Sequence, residues 1–306
     1  MGEAPASPTA RCTFAHQNTW VTEGAIVNPS VVKRKLRANE PVLAAKVNFM
    51  SPAIVEMMGM IGFDCLWLGN EHLYADISVI DHMVLAARAT GMDTMIRRTM
   101  AGYDDLLQPL EMGVHGFMIP RVRSVEYIKQ VVSYVKFPPE GRRGLDGVNA
   151  DADFGLVPLE EYLERANRET FIVAQIEDVE ALAIIEEVAA LPGVDVVFIG
   201  HGDLALSMGI PGQVRDEKVQ QAIGRVAGAC ATHGKHAGIP AKDPDDARAL
   251  MAKGFRFFTI GGDYSFVRRG LEAARAGFED VGFSFRNRWL PHETQYRLLH
   301  RGSDGS

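Results

Sequence analysis

The sequence predicts a single α/β domain folded as a (β/α)8 TIM barrel, and three observations lead to that class. From about Val42 onward, short apolar runs alternate with longer segments of helical period, and eight such units follow one another. Strict alternation of strand and helix is typical of a parallel sheet. No Gly-x-Gly-x-x-Gly motif follows the first strand, so the pattern favours a closed barrel over an open dinucleotide-binding sheet.

The elements follow one another in a regular order along the chain. The predicted strands cover residues 42–47, 64–68, 94–97, 116–119, 171–176, 194–199, 236–239 and 255–260. The predicted helices cover residues 53–61, 79–89, 103–112, 125–135, 179–190, 217–233, 245–252 and 265–276. At 306 residues the chain has room for one barrel of roughly 250 residues with extensions.

Three segments fall outside the repeat. Residues 136–170 separate the fourth and fifth strands and include a helical pattern at 158–167. We expect this long insertion to lie at the barrel mouth, where ordered insertions are commonly functional. The polar residues from about 1 to 35 are predicted to form an N-terminal arm, and those from about 282 to 306 a C-terminal tail.

The composition excludes several classes of protein. The chain has 32 Lys and Arg against 39 Asp and Glu, a net charge of −7 that argues against a nucleic-acid partner. No apolar stretch approaches the ~20 residues of a membrane span, and no signal peptide is evident. The three cysteines are widely spaced, which is typical of reduced thiols. We therefore expect a cytoplasmic protein with neither a nucleic-acid nor a membrane partner.

Two carboxylates give the strongest functional signal. Glu177 and Asp203 each follow a short apolar strand, 171–176 and 194–199. The carboxyl ends of barrel strands form the face on which active sites are built. Hard oxygen ligands at that face suit a divalent cation such as Mg²⁺ or Mn²⁺.

Two further side chains are predicted at the same face. Arg97 ends the third strand and could stabilise an oxyanion there, although a structural ion pair is an equally good interpretation. His72 follows the second strand and could move protons, although a loop histidine bonded to backbone is the commoner case.

Loop glycines and further acidic residues give weaker functional signals. The glycines of Gly200-His201-Gly202-Asp203 would let backbone amides approach a ligand carboxylate. Gly261-Gly262-Asp263 is interpreted first as packing. The acidic pair Asp151 and Asp153, and the acidic residues at 243–246, are interpreted as solvated charges and helix starts rather than a second metal site.

Several motifs give the chain a resemblance to a known family. The matching stretches are Gly62-Phe63-Asp64 with Glu71-His72, Ile96-Arg97, Phe137-Pro138-Pro139-Glu140-Gly141-Arg142-Arg143-Gly144, Gln175-Ile176-Glu177 and Phe198-Ile199-Gly200-x-x-Asp203-Leu204. In this order, across roughly residues 40 to 280, they resemble the HpcH/HpaI class II pyruvate aldolases, whose barrels are of the phosphoenolpyruvate/pyruvate-like type. The last three stretches are specific in combination.

The resemblance implies a role for each matched position. Glu177 and Asp203 would be the metal ligands, completed by two oxygens of a bound 2-oxo acid and by water; the metal would be Mg²⁺ or Mn²⁺, with Co²⁺ a further option. Arg97 would steady the enolate oxygen, and His72 would transfer the proton. Glu111 falls where the family has an acidic partner, usually Asp.

The substrate-binding positions are carried over in the same way. Gln175 would line the floor of the site, and the backbone of Gly202 and Asp203 would hold the substrate carboxylate. The chain departs from the family at Gly69, where an acidic residue three before the histidine is usual. His201 stands where proline is common and could act as a substitute base or as a filter on substrate size.

Three functions remain open from the sequence. The first is a metal-dependent carbon–carbon lyase that cleaves 4-hydroxy-2-oxo acids to pyruvate and an aldehyde. The second is a 2-oxo-acid decarboxylase, acting on oxaloacetate or a related acid, on the same scaffold. The third is a barrel that binds a 2-oxo acid without turnover, because Gly69 interrupts the proton relay. The resemblance also implies a homo-oligomer, a hexamer built as a trimer of dimers.

Overall fold

A computed structural model of the chain describes residues 29–73 and 75–285. The strands, β1 to β8 in chain order, are Val42–Val47, Cys65–Gly69, Asp93–Arg97, Gly116–Ile119, Phe171–Ile176, Val196–Ile199, His236–Pro240 and Phe255–Gly262. All are parallel, each pairs with the next, and β1 pairs with β8 to close the barrel. The predicted fold class is therefore confirmed.

Helices surround this barrel. Helices α1 to α12 are Val31–Arg37, Pro52–Ile61, Ile77–Thr90, Asp104–Glu111, Val125–Val135, Leu159–Glu169, Val179–Ala183, Ile185–Ala190, His201–Ser207, Glu217–His233, Pro244–Ala252 and Asp263–Glu279. The predicted helix at 179–190 is broken at Ile184, whose backbone leaves the helical conformation. Among the described residues, no helix combines the length and the apolar character needed to cross a bilayer.

The core has two layers, because successive side chains of a strand point to opposite sides. Residues such as Val42, Ala44 and Met95 point inward and form one buried cluster inside the barrel. Their neighbours Ala45, Val47 and Ile96 point outward and pack against the helices in a larger cluster. The same alternation fixes which side chains at the strand ends face the barrel axis.

Helix α1 closes the bottom of the barrel, the face formed by the amino-terminal ends of the strands. Its side chains Val32 and Leu36 are buried in the inner cluster. Asp93, the first residue of β3, accepts hydrogen bonds from the Ser30 hydroxyl at 2.6 Å and from two amides of the first turn at 3.0 and 2.9 Å. Residues 31–35, which the sequence assigned to an arm, thus belong to a helix with one buried face; residues 1–28 lie outside the described part of the chain.

The insertion at 136–170 packs at the bottom of the barrel, so the prediction that it lies at the mouth is wrong. It joins the end of α5 to the start of β5, and this kind of connection always runs at the amino-terminal ends of the strands. Its Ala150 carbonyl accepts a bond from Arg88 at 3.3 Å, and its Asp151 amide donates to Glu111 at 3.3 Å, both near the ends of helices that run down from the mouth.

The acidic residues of the insertion are paired rather than solvated, which corrects the sequence interpretation. Asp151 accepts a bond from Arg143 at 2.8 Å and one from the Tyr162 hydroxyl at 3.0 Å. Asp153 pairs with Arg165. These contacts join residues within the insertion and fix its own conformation, so both acids have a structural role there.

Candidate active site

The mouth of the barrel brings together side chains from β1, β2, β3, β5 and the loop after β6. Gln175 occupies an inward position near the end of β5, and Glu177 follows this strand directly. Strand β6 pairs with β5, and Asp203 lies in the first turn of α9, just beyond it. The two predicted ligands therefore stand on adjacent strand ends, as the sequence predicted.

Glu177 is held by two hydrogen bonds in a buried setting. Its Oε1 accepts from the Arg121 amide at 2.8 Å and its Oε2 from the Gln175 amide at 2.6 Å. Burial raises the pKa of the Glu177 carboxyl to about 7, helped by the charges of Glu71 and Asp203 and opposed by the Arg121 bond and the Arg97 charge. The site therefore disfavours an isolated negative charge at Glu177.

A bound cation would offset the unfavourable negative charge at Glu177. Glu177 shares the mouth with two further acids whose charges act on it, Glu71 and Asp203. In the described ranges, no three His, Cys, Asp or Glu side chains converge closely enough to form a complete metal site. Two carboxylates alone would leave most positions of a Mg²⁺ or Mn²⁺ ion open to substrate and water, so the donor set fits a substrate-completed site.

A close approach at Gly200 keeps this arrangement compact. A β-carbon added there would lie 3.0 Å from the Gln175 amide nitrogen and 3.0 Å from the β-carbon of Glu177. At Gly202, by contrast, an added β-carbon would meet nothing within 4 Å. The glycine that the packing requires is therefore Gly200, while Gly202 sits in the exposed first turn of α9.

Arg97 points into the mouth from the end of β3 and is only 5% exposed. Its guanidinium lies 5.1 Å from the centre of the Trp67 ring, a cation–π contact. Its Nε is 3.3 Å from Glu71 Oε2, but the geometry of the pair does not make a hydrogen bond. The structural ion pair considered from the sequence is thus present, yet it leaves the donor available.

His72 continues this chain of charges outward. Its Nε2 lies 3.6 Å from the same Oε2 of Glu71, and its side chain is largely exposed. Arg97, Glu71 and His72 are therefore linked in a row from the floor of the mouth to its rim. Of these three, His72 can exchange protons with solvent at the rim, whereas the Arg97 guanidinium stays protonated and supplies a fixed positive charge.

Glu111 does not reach this row within one chain. It ends α4 at the bottom of the barrel, where burial raises the pKa of its carboxyl and the nearby Arg143 opposes that shift. The carboxylate that contacts His72 is Glu71 instead. The acid expected to orient His72 thus comes from the adjacent position in the sequence, and Glu111 belongs with the insertion.

Several buried polar atoms in the mouth lack a hydrogen-bond partner within the described part of the chain. They are Arg97 Nε, Glu71 Oε2, Gln175 Oε1 and Trp67 Nε1. Most buried polar groups in proteins are bonded, so a group of unpartnered atoms around one mouth is typical of a site that binds a ligand. Gln175 is thereby found where the sequence predicted, on the floor beside Glu177.

Three groups in the mouth have no role predicted from the sequence: Glu71, Lys46 and the Arg121 amide. Lys46 could have been found from strand alternation, since Val42 and Ala44 point inward and position 46 follows the same parity. The Arg121 amide could not, because it depends on a positive φ of 53° in the loop after β4. A non-glycine residue rarely adopts this conformation, and here it directs the N–H toward Glu177.

The loop Gly261-Gly262-Asp263 has a packing role. Asp263 is 1% exposed and accepts amide bonds at 2.8 Å from Asn48, Phe49 and Tyr264. That contact ties the loop after β1 to α12, so the interpretation of Gly261-Gly262-Asp263 as packing agrees with the structure.

His201 is the first residue of α9, after β6. Burial lowers the pKa of its imidazole, and the charge of Asp246 in α11 opposes that shift.

Comparison with known proteins decides the family. Residues 47–269 match the family model described as HpcH/HpaI aldolase/citrate lyase. This chain belongs to that family. A 5-keto-4-deoxy-D-glucarate aldolase of Klebsiella pneumoniae subsp. pneumoniae is 30% identical over 251 residues, which cover 82% of this chain and 97% of the relative.

Similar solved structures agree with this assignment. An HpcH/HpaI aldolase from Desulfitobacterium hafniense has a TM-score of 0.76 and 30% identity, covering 85% of this chain and 98% of its own. A citrate synthase, SbnG, has a TM-score of 0.75 and 27% identity, covering 82% and 98%. The chain is accordingly an enzyme, a lyase of the aldolase type.

Proposed function

We propose that this enzyme is a divalent-metal-dependent aldolase that cleaves 4-hydroxy-2-oxo acids to pyruvate and an aldehyde. The observation that carries the proposal is the pair Glu177 and Asp203 on adjacent strand ends, with the Glu177 pKa raised to about 7, beside the buried Arg97. The relatives named 5-keto-4-deoxy-D-glucarate aldolase support the substrate class, since that name denotes a keto acid with a carboxylate at each end.

Glu177 and Asp203 are the proposed ligands of Mg²⁺ or Mn²⁺, with Co²⁺ as a further candidate. When bound, such a cation would withdraw electron density from the substrate carbonyl and so make the pyruvate enolate accessible. Gln175 and the Arg121 amide fix the two oxygens of Glu177 through their bonds of 2.6 and 2.8 Å. The proposed protein contribution is thus a pre-oriented carboxylate pair.

Arg97 is the proposed oxyanion stabiliser. Its guanidinium is held over Trp67 and is almost fully buried, and a buried cation interacts strongly with a developing negative charge. Because its Nε is bonded to no described group, the enolate oxygen can take that donor without displacing a protein partner.

His72 is the proposed proton-transfer group, and Glu71 its acidic neighbour. The exposed imidazole at the rim can exchange protons with water, while Glu71 links it to Arg97. The amides of Gly202 and Asp203, in the first turn of α9, remain the predicted contacts of the substrate carboxylate. Pyruvate, an aldehyde and further copies of the chain in a hexamer are the proposed partners.

The test is exchange of the pyruvate methyl protons in deuterated water, followed by NMR. We expect exchange in the presence of Mg²⁺ or Mn²⁺ and its loss after chelation, because exchange reports enolate formation without a choice of aldehyde. Glu177→Ala and Asp203→Ala should abolish both exchange and cation binding while the protein stays folded, since mouth residues contribute little to the core.

Two results would contradict the proposal in different ways. If the wild-type enzyme binds pyruvate and Mn²⁺ but exchanges no protons, it is a binder and not an aldolase. If it exchanges protons and releases CO₂ from oxaloacetate, yet cleaves no 4-hydroxy-2-oxo acid, the enzyme is a decarboxylase on the same scaffold.

A further inference from the structure

Lys46 places a second positive charge in the mouth, and neither the sequence motifs nor the proposed mechanism uses it. It occupies the last inward position of β1, above Val42 and Ala44. Its ammonium lies 5.4 Å from the centre of the Trp67 ring, the same ring that Arg97 contacts at 5.1 Å. Two cations therefore share one aromatic side chain at the mouth.

The ammonium of Lys46 has no carboxylate partner of its own. Within residues 29–73 and 75–285, no Asp or Glu oxygen lies within 4.0 Å of it. Burial and the neighbouring charge of Arg97 lower the pKa of Lys46, and the charges of Asp263 and Glu71 oppose that shift. The Asp263 carboxylate is itself occupied by three backbone amides. Glu71, the other nearby acid, lies against Arg97 and His72.

Gly69 explains how Lys46 fits into the mouth. A β-carbon at position 69 would lie 3.0 Å from Lys46 Cε and 3.7 Å from its Nζ. The glycine thus leaves room for the lysine, and an acidic side chain at the same position would pair with it directly. The departure from the family pattern at Gly69 therefore makes available a cation that an acid at this position would neutralise.

We propose that Lys46 binds a carboxylate on the aldehyde part of the substrate, so that the enzyme selects 4-hydroxy-2-oxo acids that carry a second carboxylate. The inference rests on the proposed function and specifies the substrate class within it. The 2-oxo acid end is assigned to Arg97 on β3, Glu177 just after β5 and Asp203 just after β6. Lys46 on β1 and beside β2 is then in position to meet the other end of the molecule.

The experiment compares aldol addition of pyruvate to acid aldehydes and to their methyl esters. Glyoxylate and succinic semialdehyde are the acids, and each ester removes one negative charge while keeping the carbon chain. We measure kcat/KM for each aldehyde with the wild-type enzyme, Lys46→Met, Gly69→Asp and Gly69→Ala. Lys242→Met, an exposed lysine after β7, is the charge-matched control.

We expect the wild-type enzyme to prefer an acid over its ester by about tenfold or more, the usual value of a hydrogen bond to a charged group. Lys46→Met and Gly69→Asp should both remove that preference, the first by deleting the charge and the second by neutralising it. Gly69→Ala adds the same β-carbon without a charge and should keep most of the preference, as should Lys242→Met.

Several outcomes would overturn the inference. One is equal use of acid and ester by the wild-type enzyme, and another is an unchanged preference in Lys46→Met. A third is pyruvate proton exchange with no use of either acid. Reduction with borohydride in the presence of pyruvate that attaches pyruvate to Lys46 would also overturn it, since the lysine would then be a nucleophile. Absence of pyruvate exchange in the wild-type enzyme would instead refute the proposed function, and this inference with it.

Discussion

At the scale of single residues, Glu177 is a buried acid whose surroundings disfavour its negative charge. Its carboxylate is 7% exposed, accepts two hydrogen bonds and still has a pKa raised to about 7. Two hydrogen bonds alone would lower the pKa, so burial and the neighbouring acids outweigh them. A divalent ion would reverse this balance by supplying the missing positive charge.

The raised pKa of Glu177 predicts a pH dependence for enzyme kept free of divalent ions by a chelator. Because the folded state holds the proton more tightly than the unfolded chain, the free energy of unfolding should fall as pH rises from about 4.3 to about 7. The change should be on the order of 3–4 kcal/mol, since each unit of pKa difference corresponds to about 1.4 kcal/mol. Urea unfolding across this range measures it, and Glu177→Gln should show a flatter profile.

An unchanged slope in Glu177→Gln would contradict this explanation. The variant keeps the size and the hydrogen-bonding shape of the side chain but cannot ionise, so a slope that survives must come from other groups. At constant pH, the free energy of unfolding of Glu177→Gln also serves as the reference for the change that added Mn²⁺ causes in the wild-type enzyme.

Gly200 and Gly202 form a matched pair for testing the geometry of the ligands. Gly200→Ala should push on Gln175 and Glu177, since the added β-carbon would lie 3.0 Å from each of them. We expect its Mn²⁺ affinity to fall by about tenfold or more, the usual cost when groups that orient a ligand are disturbed. Calorimetric titration measures this, with Gly202→Ala, where the space is open, as the control. Equal affinities in the two variants would contradict the assigned packing.

The sequence predicted where the proposed ligands lie, but not their surroundings. Glu177, Asp203 and Arg97 follow from one rule, that polar residues just past buried strands collect at the mouth. The acid beside His72 was assigned to Glu111 because motif spacing ignores which end of a helix a residue occupies. The Arg121 amide depends on a single backbone angle in a loop, and no pattern of side chains records such an angle.

At the scale of elements, the alternation of strand and helix predicted the barrel strands but not α1 or the position of the insertion. The pattern predicted all eight strands because each is a short apolar run between polar junctions. It did not predict α1, a seven-residue helix that depends on Asp93 and on contacts far along the chain. The insertion was assigned to the wrong face, although its position after a helix and before a strand already required the bottom of the barrel.

Helix α1 should contribute strongly to stability. Leu36→Ala should cost about 2–5 kcal/mol, the usual cost of removing a buried leucine side chain, because Leu36 is 3% exposed inside the barrel. Leu85→Ala on α3 is the control, since Leu85 is 61% exposed and should cost about 0.5 kcal/mol or less. Urea unfolding of both variants tests this. A loss in Leu36→Ala no larger than in Leu85→Ala would show that α1 does not close the barrel.

At the scale of the whole molecule, the outer face of α12 is the surface that we expect to be covered in the proposed hexamer. Val267, Leu271 and Phe278 on this helix are 42%, 66% and 54% exposed, and apolar residues grouped on one surface commonly mark an interface. We expect light scattering after gel filtration to give the mass of a hexamer, and Leu271→Glu to shift it toward smaller species. A wild-type mass equal to one chain at micromolar concentration would contradict the expected assembly.

We propose that Glu177 and Asp203 jointly bind a divalent ion that a 2-oxo acid also contacts. A crystal structure of the enzyme grown with Mn²⁺ and pyruvate tests it most directly, because anomalous scattering locates manganese without assumptions. We expect one strong anomalous peak between the two carboxylates, with pyruvate beside it and within reach of Arg97. A peak elsewhere in the chain, or one bound by neither carboxylate, would contradict it.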